Sequence, residues 1–314
     1  MIVASAPTRL DFGGGWTDVP PFPEERGGFV CNLAIERRAT VTLVAVDDPS
    51  PPADALVAAA LRRAGLSGVQ VRLTSDFPVA AGLGGSSAAG VALQAAIAAW
   101  RGERWQPTDL AERSRATEVD ELGVAGGFQD HYAAALGGAL GLTLGRTRHA
   151  ERLALTAAAT TALEARCCVI YTGESRISAD TITAVLAAYR DRVPRVVQAL
   201  DRMRALARGM AESLLTGNVS ELAELVSEHW VHQQSLHPGI TTARITQLEA
   251  AVRAAGATGF KALGASGGGC VVAIAPVGAM SAVRRAAAPL GEVLEWRVAR
   301  QGVVVSASDV AASD

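Results

Sequence analysis

The pattern of apolar and polar positions predicts that the chain begins with β-strands. Residues 2–6 alternate weakly, as in a strand, and run into a Gly- and Pro-rich segment from Asp11 to Pro23 that we expect to be a loop. Residues 29–46 are β-branched and partly alternating, which predicts two strands separated by a turn or bend at the charged residues 36–38. The alternating segment VQVRLTSD, residues 69–76, predicts a further strand.

Helical patterns dominate the later part of the chain. Prolines open the segment PPADALVAAALRRAGL and Gly65 closes it, an arrangement typical of a helix. A Gly/Ser loop then leads into an Ala-rich helix expected from Ser87 to Trp100. CCVIYTG, residues 167–173, predicts a buried strand, and four more segments have a helical pattern: residues 178–216, 219–234, 241–255 and 281–288.

Length and patterning together indicate two lobes. The chain has 314 residues, more than one hydrophobic core usually serves. Its strand-rich part gives way to a helix-rich part near residues 150–165. We therefore predict one lobe from residues 1–160 and a second from residues 161–314.

Composition and charge exclude several classes of protein. The chain is 49% hydrophobic and 19% charged with a net charge of −2, which is typical of a globular protein and shows no basic stripe for nucleic acid. The N-terminal segment MIVASAPTRL lacks the layout of a signal peptide, and the apolar stretches are interrupted well short of a membrane span. We expect a cytoplasmic protein without a nucleic-acid or membrane partner.

A Gly-rich segment carries the first chemical signal. PVAAGLGGSSAA, residues 78–89, lies between a predicted strand and a predicted helix. Successive glycines allow backbone N–H groups to converge on an anion, and the helix N-terminus adds a partial positive charge. No lysine follows the glycines, so this is not a Walker loop. Taken alone, the segment is equally compatible with a Gly-rich turn and a serine N-cap.

Two more Gly-rich segments favour the anion-binding interpretation. APTRLDFGGGWTD lies near the N-terminus at residues 6–18, and GFKALGASGGGC lies near the C-terminus at residues 259–270. Three Gly-rich loops at strand ends suit an extended phosphorylated ligand between two lobes.

In order, spacing and content, the three segments resemble the motifs of the GHMP kinases, a superfamily that includes galactokinase and the homoserine, mevalonate and phosphomevalonate kinases. The resemblance implies an α+β fold of two lobes, with a mixed-sheet N-terminal lobe like ribosomal S5 domain 2 and a ferredoxin-like C-terminal lobe. It also implies ATP as the phosphate donor and Mg²⁺ as the metal ion.

Further segments indicate which GHMP kinases the chain resembles most. RLDFGGGWTDVPP resembles both bacterial heptose kinases and fucokinases. GGFQDHYAAALGG, residues 126–138, and YTGESRISA, residues 171–179, are more similar to D-glycero-D-manno-heptose 7-phosphate kinase. That resemblance implies phosphoryl transfer to the C1 hydroxyl of a sugar already phosphorylated at C7, D-glycero-D-manno-heptose 7-phosphate, and a fucokinase-like kinase of a free sugar is the alternative.

The resemblance also implies roles for individual residues. Asp130 matches the carboxylate beside the attacking hydroxyl, and Arg9 matches the arginine next to that carboxylate. Ser86 and Glu118 match the Mg²⁺ ligands. The triphosphate would bind the loop of Gly82, Leu83, Gly84, Gly85, Ser86, Ser87 and Ala88, and the sugar would bind Gly14, Gly15, Thr17, Asp18, Arg176, Lys261, Gly267 and Gly268.

Structural alternatives remain open for the charged residues. Asp130 is also placed to be the N-cap of a helix starting at His131, Asp18 to be a turn residue, and Glu118 to be a solvated helix position. Arg9 and Arg176 are also compatible with surface positions, and Lys261 with a chance occurrence. We interpret His131 and His149 as structural or surface residues, and Trp230 and Trp296 as core residues.

The sequence departs from the family pattern at two loop positions. Gly85 stands where a serine is common, and Ser266 replaces a usual glycine, which strains the backbone if that position needs φ > 0. Two rival functions stay open: a kinase of the same superfamily that acts on a non-sugar alcohol, and a catalytically silent nucleotide-binding regulator. The oligomeric state, a homodimer included, is also open.

Overall fold

A computed structural model describes residues 1–174 and 179–307, and its first lobe is built on a six-stranded antiparallel sheet. The strands follow the order β10-β1-β2-β4-β5, and β3 pairs with the C-terminal half of β2. The strand bounds are β1 (Ile2–Gly13), β2 (Gly28–Ala45), β3 (Val69–Ser75), β4 (Ala139–Leu144), β5 (Arg148–Leu153) and β10 (Val304–Ala307).

Strand β1 is longer than its own sequence pattern predicts. We expected a loop from Asp11, but the strand continues to Gly13 because residues 8–13 pair with β2, and because Leu10 and Phe12 are buried. The two strands predicted for 29–46 are one strand. The register shifts opposite Pro7 and Thr8, so the predicted bend at residues 36–38 is a bulge within β2.

Helix α3 (Gly85–Trp100) is the central helix of the first lobe and begins two residues earlier than predicted. Its apolar residues, including Leu93 and Ile97, pack in the core against β1 and β2. This lobe also contains α1 (Phe22–Arg26), α2 (Ala55–Ala64), α4 (Pro107–Ala116), a π-helical turn (Thr117–Glu121) and α5 (Gln129–Leu136).

The second lobe has a four-stranded antiparallel sheet in the order β7-β8-β6-β9. The helical segment predicted for 178–216 is two helices, because Pro194 starts a new one. The elements are α6 (Ala157–Arg166), β6 (Cys167–Tyr171), α7 (Ala179–Arg190), α8 (Pro194–Thr216), α9 (Val219–Leu236), a 3₁₀ turn (Pro238–Ile240), α10 (Ala243–Ala254), β7 (Gly259–Ala262), β8 (Cys270–Ile274), α11 (Val277–Ala287) and β9 (Glu292–Leu294). The predicted α+β fold of two lobes is confirmed.

A shared hydrophobic core joins the two lobes. Leu10 and Phe12 of β1 pack in one cluster with Met210 of α8 and Leu222 of α9. Strand β10 also returns to pair with β1 in the first sheet. The proposed division at residue 160 stays a prediction. Trp230 and Trp296 are buried, as predicted.

None of the described helices is both long enough and apolar enough to cross a membrane.

Candidate active site

A cavity of about 710 Å³ gathers residues from all three Gly-rich segments. Its walls come from the end of β1, the loop before α3, the segment that joins α4 to α5, and the third Gly-rich segment at Gly264 and Ala265. Of the residues predicted to form the site, the cavity is lined by Arg9, Gly15, Asp18, Gly82, Leu83, Gly84, Gly85, Ser86, Ser87, Glu118 and Asp130.

The loop before α3 has the geometry of an anion cradle. Gly82 and Gly84 have left-handed backbones with φ of 71° and 75°, so glycine relieves strain there. Gly84 precedes a helix of 16 residues, whose first-turn N–H groups have no intrahelical partner. A Cβ at Gly85 would lie 2.4 Å from the Phe77 ring. A serine at position 85 would therefore require the Phe77 ring to move.

Two serines at the start of α3 face a carboxylate from the π-helical turn. Ser86 Oγ donates to Glu118 Oε1 at 2.6 Å, and Ser87 Oγ donates to Glu118 Oε2 at 3.2 Å. Burial raises the pKa of Glu118, but hydrogen bonds from His131, Ser86 and Ser87 and the charge of His131 outweigh it, so the net pKa lies below its ordinary value. Glu118 is therefore a largely buried, ionised group and not a solvated helix position.

Hydroxyl and carboxylate oxygens are the donors that Mg²⁺ prefers when it binds nucleotide phosphates. Ser86 and Glu118 supply one of each at the helix N-terminus, so their chemistry fits that ion. Within the described ranges, no cluster of three His, Cys, Asp or Glu residues could hold a metal by itself. The arrangement therefore fits a metal ion whose remaining ligands are phosphate oxygens and water.

Arg9 and Asp130 form a bidentate ion pair at the centre of the cavity. Arg9 Nε donates to Asp130 Oδ1 and Arg9 Nη2 donates to Asp130 Oδ2, both at 2.8 Å, while Nη1 donates to the Gly82 carbonyl at 2.6 Å. Burial raises the pKa of Asp130 above its ordinary value, and the guanidinium opposes that rise. A Cβ on Gly84 would lie 3.0 Å from Asp130 Oδ2, so the carboxylate lies directly against the Gly-rich loop.

Asp130 is not the N-cap of its helix. Helix α5 begins at Gln129, which places Asp130 inside the first turn. The capping group comes from Asp18, whose Oδ2 accepts from the Phe128 N–H at 2.8 Å and from the Gln129 N–H at 3.0 Å. Burial raises the pKa of Asp18 to about 6, and these two hydrogen bonds oppose the rise. Asp18 therefore positions the helix that carries Asp130.

Lys261 does not reach the cavity, which corrects its predicted contact with substrate. Its side chain is 0% exposed, and its ammonium donates to the Asp11 backbone carbonyl at 2.7 Å and to Asp11 Oδ2 at 3.1 Å. Burial disfavours the charged form and lowers the pKa of Lys261, against the Asp11 charge. Lys261 therefore supports the first Gly-rich segment through Asp11 without lining the cavity.

His229 of α9 supports the same segment. Its Nε2 accepts from the Gly14 N–H at 2.9 Å. Burial and the Lys261 charge lower the pKa of His229 to about 3, so the ring is neutral. Thr17 is equally buried and bonds to the Gly14 and Phe29 carbonyls. Gly14 and Thr17 therefore shape the loop and do not line the cavity.

The third Gly-rich segment has the strained backbone that the sequence suggested. Ser266 has φ of 71°, and Gly267 and Gly268 have φ of 84° and 141°. The cavity wall here is formed by the two residues before Ser266, whereas Gly267 and Gly268 lie outside the lining, as does Ala88. Arg176 lies outside the residues that the structure describes.

The sequence interpretation missed Gln129, whereas His131, interpreted as a structural or surface residue, has a structural role at the site. Its Nε2 lies 3.2 Å from Glu118 Oε2 and its Nδ1 3.0 Å from Ser114 Oγ, so it braces the predicted metal ligand. Gln129 lines the cavity between the Asp18-capped turn and Asp130. Their position beside Asp130 in the motif GGFQDHY was the available signal.

Comparison with known proteins identifies the family. Residues 53–138 match the GHMP kinases N terminal domain, and residues 210–289 match the GHMP kinases C terminal domain. The mevalonate kinase of Pyrococcus horikoshii is 30% identical over 242 residues, which cover 75% of this chain and 68% of that protein. The chain belongs to the GHMP kinases.

Other relatives of this GHMP kinase differ in length and in the substrate that their names give. The bifunctional fucokinase/GDP-fucose pyrophosphorylase of Arabidopsis thaliana is 25% identical over 84% of this chain, but the chain spans only 29% of that protein. A D-glycero-D-manno-heptose 1-phosphate kinase from Bacteroides thetaiotaomicron has a similar structure, with a TM-score of 0.80 and 21% identity over 98% of this chain and 99% of that one. At that identity the likeness shows the fold.

Proposed function

We propose that this protein is an ATP-dependent kinase that phosphorylates the anomeric C1 hydroxyl of a sugar, with D-glycero-D-manno-heptose 7-phosphate as the acceptor. One observation carries the proposal. The Asp130 carboxylate, held by Arg9, lies directly against Gly84 of the loop that would bind the triphosphate. A base and a phosphate cradle in contact are what direct transfer to a hydroxyl requires.

In the proposed reaction, Asp130 accepts the proton of the C1 hydroxyl as the C1 oxygen forms a bond to the γ-phosphorus. The bond from the γ-phosphorus to the β–γ bridging oxygen breaks, and ADP leaves with that electron pair. An anomeric hydroxyl is more acidic than an ordinary alcohol, so a carboxylate suffices as the base. Arg9 lies beside Asp130 and stabilises negative charge on the transferring group.

The start of α3 would hold the nucleotide phosphates. Residues 82–87 would bind the triphosphate through backbone N–H groups, and Ser86 and Glu118 would bind Mg²⁺. When bound, Mg²⁺ neutralises charge on the β- and γ-phosphates. His131 keeps Glu118 oriented toward the serines.

The acidic groups around the cavity suit an acceptor with several hydroxyl groups. Five acidic side chains line it in the described part of the chain: Asp11, Asp18, Asp54, Glu118 and Asp130. Arg9 is the single lysine or arginine in that lining, and its guanidinium is bonded to Asp130 and Gly82. Sugar hydroxyls can donate to these oxygens, and an anionic group of the acceptor, such as the 7-phosphate, would need a cation outside this lining.

Phosphorylation assays over an acceptor panel test the proposal. The panel holds the heptose 7-phosphate, the free heptose, L-fucose, D-galactose and mevalonate, with NMR to locate the new phosphate. We expect the heptose 7-phosphate to react best and to gain phosphate at C1. Preference for a free sugar would indicate a fucokinase-like enzyme, and turnover of mevalonate would overturn the sugar proposal. ATP binding without turnover of any acceptor would indicate a silent regulator.

A further inference from the structure

Some of the buried polar atoms without a hydrogen-bond partner belong to residues that line the cavity. Seven buried side-chain nitrogen or oxygen atoms in the described ranges have no hydrogen-bond partner, and three of them belong to cavity-lining residues: Asp11, Trp16 and Gln129. Leaving such an atom unpaired costs about 1–3 kcal/mol. Native proteins retain few such atoms, and a bound ligand is one reason to retain them.

Gln129 is the most informative of the three. Its side-chain oxygen is buried and has no hydrogen-bond partner among the described residues, and the residue is only 6% exposed. The amide nitrogen lies 2.9 Å from the place where a Cβ on Gly15 would be, so it reaches the first Gly-rich segment. Rotation of the amide exchanges its oxygen and nitrogen, so the group can present either an acceptor or a donor to a ligand.

The backbone of Gln129 is fixed although its side-chain oxygen is unpaired among the described residues. Its N–H donates to Asp18 Oδ2 at 3.0 Å, and its carbonyl accepts from Asn32 Nδ2 at 3.5 Å. Gln129 and the proposed base Asp130 are consecutive residues of α5, and both line the cavity. A rigid helix turn therefore holds the amide beside the reacting position.

We infer that Gln129 binds a hydroxyl of the sugar other than the reacting C1 hydroxyl, and that this contact helps to select polyhydroxylated acceptors. The inference rests on the proposed function. An acceptor with no hydroxyl at that point would leave the amide buried and unpaired, so it would be disfavoured. Gln129 is thus a substrate-binding residue, separate from the base and from the phosphate loop.

The test compares the native enzyme and Gln129→Met on the best sugar of the panel and on its monodeoxy analogues. Methionine has a similar length and no amide. We expect kcat/KM for the parent sugar to fall about 10- to 100-fold, mostly through KM, with an unchanged KM for ATP. One deoxy analogue should lose activity with the native enzyme and show little further loss with the variant, because both changes remove the same contact.

Gln94→Met is the matched control, since Gln94 is another 6%-exposed helical glutamine, bonded to Thr117 and outside the cavity lining. It should leave the sugar KM unchanged.

Native-like kcat/KM for Gln129→Met, or equal further losses for all deoxy analogues, would overturn the role of Gln129 but not the proposed sugar kinase activity. If Gln129→Met does not fold, Gln129→Leu, which also lacks the amide, should show the same selective loss on the same analogue. Equal losses on all analogues with that variant would count against the inference. A native enzyme inactive on all sugars would instead overturn the proposed function.

Discussion

Arg9 and Asp130, which are 121 residues apart in the chain, meet through two parallel hydrogen bonds of 2.8 Å each. The third guanidinium nitrogen donates to the carbonyl of Gly82, so the arginine ties the carboxylate to the Gly-rich loop. Bidentate pairs of this kind fix orientation as well as charge. The geometry therefore keeps the proposed base in register with the proposed triphosphate site before any ligand binds.

The first prediction concerns Asp130. Asp130→Asn should keep ATP affinity and lower kcat by about 10²–10⁴, because the amide cannot accept the proton of the hydroxyl. Equilibrium ATP binding and steady-state kinetics on the same samples separate the two effects. Near-normal turnover would show that Asp130 has a structural role only.

The second prediction concerns the proposed metal ligands. Ser86→Ala and Glu118→Gln should each raise the Mg²⁺ concentration needed for the half-maximal rate, because each removes one oxygen ligand. Asp120→Asn is the control, since Asp120 is exposed in the same π-helical turn. Mg²⁺ titrations of the initial rate measure the effect. If both variants keep the native Mg²⁺ dependence, these residues are not ligands, and Ser87 is the next hydroxyl to test.

The sequence predicts best what depends on neighbouring residues. The loop before α3 and the Ala-rich helix after it were predicted because glycines, serines and an Ala-rich segment follow one another directly. The length of β1 was not, because Leu10 and Phe12 become strand residues only through pairing with β2. Local pattern also predicted a helical segment over 178–216, within which Pro194 starts a second helix.

Long-range contacts explain most errors in the site. Lys261 was assigned to substrate, but it bonds to Asp11, 250 residues away. Asp18 caps a helix that starts 111 residues later, a partner that no spacing rule identifies. The motif match located Asp130 and Arg9 near each other, yet it could not reveal which glycines line the cavity, since Gly15 lines it and the neighbouring Gly14 does not. These features are set by tertiary packing.

The third prediction concerns the second phosphate of the proposed acceptor. A phosphate remote from C1 needs its own cation, and the sequence offers Arg176 in the segment TGESR. Arg176→Ala should lower kcat/KM for the phosphorylated sugar far more than for its unphosphorylated analogue. Arg190→Ala, at an exposed arginine of α7, is the control. An equal fall in kcat/KM for both substrates would show that Arg176 does not bind the second phosphate.

The fourth prediction concerns the buried pair of Lys261 and Asp11. Lys261→Met should lower the free energy of unfolding by about 3–5 kcal/mol, because it leaves the Asp11 carboxylate buried without its counter-charge. Urea denaturation measures the change. The exposed pair of Arg202 and Glu228 provides the control, and Arg202→Met should cost less than about 1 kcal/mol. The double variant Lys261→Met/Asp11→Asn should recover part of the lost free energy of unfolding. Equal losses for Lys261→Met and Arg202→Met would contradict the assignment of Lys261 and Asp11 as a buried ion pair.

The last prediction concerns the pH dependence of stability that Asp18 creates. Burial raises the pKa of Asp18 from its ordinary value of 3.8 to about 6, so the folded protein binds a proton that the unfolded chain releases between those two pH values. Because the folded state holds that proton more tightly, the contribution of Asp18 to stability is greatest below pH 4 and is lost as the pH rises through 6. A shift of this size corresponds to about 3 kcal/mol.

Asp18→Asn keeps an oxygen that can accept from the Phe128 and Gln129 N–H groups, but it cannot titrate. We therefore expect the free energy of unfolding of the native protein, relative to this variant, to decline by about 2–3 kcal/mol between pH 4 and pH 7. Urea denaturation of both proteins across that range provides the measurement. A constant difference would show that Asp18 keeps its ordinary pKa, and a difference that grows with pH would show a lowered one. In either case the carboxylate would be ionised at neutral pH at no cost to folding.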